Sequence, residues 1–247
     1  MTAASDKGFT IIEVVLFLAI TGILFAALMA GVGTNIARQN YVEGVRSFKA
    51  LLQDQFAEAM NARQEDGNPA ACDAATGRVE TGGAARAERR GSSGCVILGR
   101  IVEVTNNGAA VRVASVTGLD TALASAGLGD IAALNAAEPA IADINGQTID
   151  LDGGITLRAP VSGGASRYST AAVLFVRSPV SGSMRTFVAD SVPTALKDMI
   201  TQGNQRELTN CFDGAVAVPT QVVRIDARVA GADAFNTGDA PTGTCAS

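Results

Sequence analysis

One acid, Glu13, stands inside an apolar run in which no other residue from Phe9 to Gly33 is ionisable. A charged side chain at mid-bilayer costs about 2.5–3.5 kcal/mol on insertion scales, and less near an interface. An acid kept in such a place has a purpose, and the purpose implies a partner. The chain offers little else for chemistry. It has no histidine, which removes Ser-His and Cys-His catalysis and the usual zinc sites. Gly31-Val32-Gly33 resembles the start of a dinucleotide loop, but the third glycine is missing and a lipid-length segment, not a strand, precedes it. Gly91-Ser92-Ser93-Gly94 lacks the Gly-x-Ser-x-Gly spacing. Asp143, Asn145, Asp150 and Asp152 carry oxygen ligands that calcium would accept, but their spacing fails the EF-hand loop. Turn residues between strands explain them without an ion. No enzyme activity, metal or cofactor is therefore assigned.

The four cysteines are Cys72, Cys95, Cys211 and Cys245, and none forms a Cys-x-x-Cys pair. An even count in an exported domain reads as a disulfide framework, with three possible connectivities. Cys72–Cys95 with Cys211–Cys245 is the preferred pairing, because each bridge closes a stretch lacking strong periodicity. Arg78, Arg86, Arg89 and Arg90 make residues 70–94 locally basic, diluted by Glu80 and Glu88. Such a patch would suit DNA or an acidic subunit face. A solvated loop is the plainer account, so nucleic acid stays an open partner. The net charge of −5 gives no global argument for it.

These residues need elements to position them. At ~1.5 Å rise per residue the apolar run reaches ~37 Å, enough to cross a hydrocarbon core of roughly 30 Å. Lys7 before it keeps the N-terminus inside and places the chain beyond residue 33 outside the cytoplasm. Beyond Gly33 the pattern turns amphipathic. Tyr41, Val45, Phe48, Leu52, Phe56 and Ala59 recur every three or four residues, with Val42, Leu51 and Met60 beside them. This predicts a helix packing one face on a domain, stopped by Gly67-Asn68-Pro69.

The N-terminal pattern resembles the type IV prepilin family, which includes the pseudopilins of type II secretion. The matching residues are the leader Met1 to Gly8 with Lys7, then Phe9, Glu13 and the run Val14 to Ile20. The resemblance covers residues 1–60. It implies that a prepilin peptidase cuts after Gly8 and that the new amine of Phe9 is N-methylated. It further implies that Glu13 pairs with the terminal amine of a neighbouring pilin or pseudopilin subunit during filament assembly. The implied partners are those subunits, the peptidase, an inner-membrane assembly platform and, before assembly, the bilayer. A secretory signal would have a shorter core and a cut site after it. A plain membrane anchor accounts for the length but not for Glu13 or the Gly8-Phe9 junction.

The expected organisation is leader 1–8, transmembrane half-helix 9–33, amphipathic half-helix 34–66, Cys-bracketed loop 67–94 and a β-rich head 95–247. The fold class is α+β, with a long helix packed on an antiparallel head. Strand signals begin at Cys95, and Asn106-Asn107-Gly108 predicts a hairpin turn. Residues 118–141 are read as one or two short helices, with Asp120 and Asp130 as candidate N-caps, or as a surface insertion; Asn145-Gly146 reads as another turn, and 193–200 as a short helix capped by Ser191. Val222 to Ile225 is the last clear strand, and residues 230–247 are polar and Gly-rich, tied back by Cys245. The size of the head suggests a minor, pilus-initiating type of subunit rather than a compact major pilin. An adhesin or DNA-uptake head carried on a pilin stalk is the alternative.

Overall fold

The computed structural model describes residues 10–61, 70–73, 78–81, 95–120, 127–158, 172–190, 194–214, 219–226, 231–240 and 245. It begins with a helix, α1 (Ile11–Met60), unbroken over 50 residues. The two ends of α1 behave differently. From Tyr41 onward the helix buries Tyr41, Val45, Phe48, Leu52, Phe56 and Ala59, the stripe expected from the spacing. Val42 and Leu51 pack partly against the same core, while Met60 is exposed. The helix ends at Met60, where the backbone N–H of Asn61 donates to the Ala57 carbonyl at 3.0 Å. That is ahead of the expected boundary at residue 66, and the Gly67-Asn68-Pro69 stop lies outside the described residues.

Two short strands come next, β1 (Ala70–Asp73) and β2 (Arg78–Thr81), in an antiparallel ribbon with Cys72 opposite Val79. The segment expected as loop therefore contains strands. At four residues each they are too short to show an alternating pattern. The head continues with β3 (Cys95–Thr105), β4 (Ala110–Leu119), α2 (Asp130–Ala136), β5 (Ala140–Asp150), β6 (Thr156–Arg158), β7 (Ala172–Arg177) and β8 (Met184–Ala189). It closes with α3 (Leu196–Met199), β9 (Leu208–Asp213), β10 (Gln221–Ile225) and β11 (Phe235–Asp239). One antiparallel sheet runs β5-β4-β3-β7-β8 and a second runs β11-β10-β9-β6. The chain is thus α+β, a long helix on a β-rich head.

Alternation along the strands sorts side chains into two cores. Val102, Val113, Phe175 and Val188 of the larger sheet meet the α1 stripe together with Phe212, Val223 and Phe235 of the smaller one. Ile101, Val116, Leu174 and Phe187 point the other way, onto Leu134 of α2 and Leu196 and Met199 of α3. Phe56 stands edge-on to Phe175 and Phe235, at centroid separations of 5.7 and 6.0 Å, so a helix residue joins both sheets. Such aromatic contacts add about 0.5–1.5 kcal/mol each beyond burial.

Several expectations change. The Asn106-Asn107-Gly108 turn forms as read, with all three residues at positive φ. A Cβ on Gly108 would overlap the Leu157 carbonyl, which restricts the site to glycine. Asn145-Gly146 is not a hairpin turn. β5 runs through it, and Ser115 faces Ala142 while Val113 faces Gln147, so the excess residues are absorbed as a bulge. Asp130 is not an N-cap. Gly129 takes that place, and the Asp130 carboxylate faces the β7–β8 turn instead. Asp120 ends β4 before residues outside the description. α3 is shorter than the helix expected over 193–200, with Ala195 at its N-cap; Ser191 and Pro193 lie outside the described residues. β9 and β11 were not legible, β11 because only Phe235 of its residues is buried and the rest reads as polar loop.

Candidate functional site: the acid-bearing half of the long helix

Residues 11–40 of α1 lie almost wholly exposed. Large apolar side chains are exposed all round this half, from Ile11 at 86% through Phe17 and Phe25 to Ile36 at 51%. A helix that is apolar on every face needs lipid or other protein around it. Three of its polar side chains, Thr21, Thr34 and Asn35, bond to carbonyls of the helix itself. The Thr21 hydroxyl donates to the Phe17 carbonyl at 2.8 Å. The Thr34 hydroxyl and the Asn35 amide both donate to the Gly31 carbonyl at 3.0 Å. Such internal bonding is what a segment deprived of water requires. Gly31-Val32-Gly33 is part of this helix and not a phosphate loop. α1 is the one described helix long and apolar enough to cross a membrane.

Glu13 sits in the first turn. Thr10 is the N-cap, and its hydroxyl oxygen accepts from the Glu13 backbone N–H at 3.3 Å. An acid there is favoured by the partial positive charge of the helix N-terminus. Among the described residues no cation pairs with its carboxylate. The charge that would neutralise it is not supplied by the described part of the head. Gly8 and Phe9, the expected cleavage and methylation positions, lie outside the described residues.

The apolar half meets the head at a tight junction. The buried Tyr41 hydroxyl donates to the Phe212 carbonyl and accepts from the Gln221 backbone N–H, both at 2.9 Å. Burial pushes the Tyr41 hydroxyl above its ordinary pKa, and the Gln221 N–H partly opposes the shift. A Cβ on Gly44 would overlap the Asp152 carbonyl, and one on Gly153 would overlap the Asn40 carbonyl. At the other end of the packed stripe, Arg100 of β3 donates to Gln55 at 3.1 Å and to Ser115 at 2.8 Å, and pairs with Glu58. Tyr41 reads from the sequence only as a stripe residue, and no local signal marks its bonds or those of Arg100. Tyr41 and Phe212 are 171 positions apart and Arg100 and Gln55 are 45 apart.

The other candidates separate. Cys211 and Cys245 form a disulfide with Cα atoms 5.9 Å apart, as preferred from the sequence. Cys95 is disulfide-bonded, while the side chain of Cys72 lies outside the described residues. Arg78 falls on β2, and Arg86, Arg89 and Arg90 lie outside the description. The Asp143 and Asn145 side chains do so too, while Asp152 accepts from the Ser47 hydroxyl at 3.3 Å. Among the described residues no three His, Cys, Asp or Glu side chains gather as metal ligands would. Comparison with protein-family models, with curated proteins and with solved structures gives no match.

Proposed function

We propose that the chain is a non-enzymatic structural subunit of a pilin-like filament, of the type IV pilus or type II secretion kind, stored in the membrane by α1 until assembly. One observation carries this reading. Glu13, an acid with no cation beside it among the described residues, projects from an all-round apolar half-helix that is continuous with a half docked on a β-rich head. The resemblance of residues 1–60 to prepilins supports it. On this reading the N-terminus is cytoplasmic and the head exported. A prepilin peptidase cleaves after Gly8, Phe9 is N-methylated, and a platform extracts the helix into the filament. Neighbouring apolar halves then replace lipid, and Glu13 meets the Phe9 amine of the adjacent subunit. A buried ion pair adds little net stability but sets register, because a subunit one step out of place leaves both charges unpaired.

Loss of one partner from such a pair costs about 3–5 kcal/mol, or roughly 10²- to a few times 10³-fold in incorporation. Glu13→Ala is expected to reach the membrane in normal amount and to be depleted from sheared filaments by that factor. Incorporation at the parental level would refute the assembly role. The size of the head favours a minor subunit, present at few copies beside a major one; a dominant copy number in purified filaments would overturn that assignment.

A further inference from the structure

We infer that Tyr41, Gly44 and Gly153 form an axial stop that fixes where the apolar half of α1 leaves the head, and with it the distance from the head to Glu13. Hydrophobic burial alone sets this position poorly. The buried stripe repeats every three or four residues, so a slide by one turn, ~5.4 Å, still returns many of the same apolar residues to the core, Leu52 and Phe56 in one direction and Tyr41, Phe48 and Leu52 in the other, with Lys49 or Gln55 among them. The junction contacts do not repeat. A one-turn slide moves either Asn40 or Phe48 into the place of Gly44 against the Asp152 carbonyl, where no Cβ fits. It replaces Tyr41 by Ala37 or Val45, and neither can bridge Phe212 and Gln221 as the hydroxyl does. Gly153 meets the Asn40 carbonyl from the opposite side, so helix and turn interlock backbone to backbone. Arg100 repeats the restriction at the far end, since the same slide removes Gln55 and Glu58 from its guanidinium. Because α1 is unbroken from Ile11 to Met60, the register set at Tyr41 reaches Glu13, about 42 Å along the axis at ~1.5 Å per residue. In a filament, which is where this inference rests on the proposed function, the stop places each head at a defined height above the Glu13 contact.

The test is a spin-label distance in the full-length chain in nanodiscs, with labels at Leu24→Cys on α1 and Lys197→Cys on the exposed side of the head. The parent is expected to give a single narrow distance. Gly44→Ala, and separately Gly153→Ala from the exposed turn, are expected to broaden it or move its centre as the helix and turn part to admit the added Cβ, with the Cys211–Cys245 disulfide still formed. A broad parental distribution would overturn the inference. So would a parental distance in either folded variant, and Gly153→Ala alone decides if Gly44→Ala does not fold. The measurement needs no filament, so a stop that holds in a chain that never assembles would sink the proposed function and leave the stop standing.

Discussion

The Tyr41 hydroxyl sits between the ends of two strands and closes hydrogen bonds that neither strand makes alone. Tyr41→Phe keeps the ring and strands two backbone groups, so about 1–3 kcal/mol of head stability should be lost in urea titration. An unchanged midpoint would mean that the strand ends re-pair without the hydroxyl. Asp130 offers a pH test. Its carboxylate accepts from Ser178 at 2.7 Å and pairs with Arg185. The Ser178 hydrogen bond, with those of Ser181 and Arg185 behind it, lowers its pKa to about 2 from an ordinary 3.8. A depressed folded pKa means stability that is fully present above the ordinary value and lost as pH falls through the folded one. The contribution, at most about 2 kcal/mol, should therefore disappear between pH 3.8 and about 2. Asp130→Asn should flatten that part of the stability profile, and a profile as steep as the parent's would contradict the assignment. Glu13 was legible without a structure because a charge in an apolar run is a local anomaly. Tyr41 and Asp130 were not, because their meaning depends on strands far away in the chain.

At the scale of elements, α1 was readable in both halves, since its first half is apolar on every face and its second carries a 3.6-residue period. The hairpin at Asn106-Asn107-Gly108 was readable because its residues tolerate positive φ. Asn145-Gly146 carries the same signal yet marks a bulge, because pairing to β4 on both sides carries β5 straight through. β11 escaped because a short edge strand with one buried position carries no alternation to read. Phe56 is where helix and both sheets meet, so Phe56→Ala should cost about 3–5 kcal/mol and shift thermal unfolding of the head; a shift no larger than that of Ala50→Gly would contradict the shared core. The Cys211–Cys245 bridge closes a separation of 34 residues around β10 and β11. Replacing both cysteines by serine should cost about 3–4 kcal/mol in the chain-entropy model, read as a lower urea midpoint under oxidising conditions. Equal midpoints would mean that the smaller sheet holds its C-terminal segment without the bridge.

At the scale of the whole molecule, one long helix meets two solvents. Its second half is desolvated by the head, and its first half has no described protein around it. That division gives the apolar half an environment to find, first lipid and then, on the proposed reading, other subunits. Glu13 is the group that would distinguish the two, since lipid offers it no counter-charge and a neighbour's amine does. On the proposed reading that pairing needs a free amine at Phe9, created by cleavage after Gly8. The decisive measurement is the intact mass and N-terminal sequence of the protein recovered from its native membrane. The expected product is a chain that begins at Phe9 and carries one added methyl group. A chain that begins at Met1, or one cut after the apolar run, would contradict it.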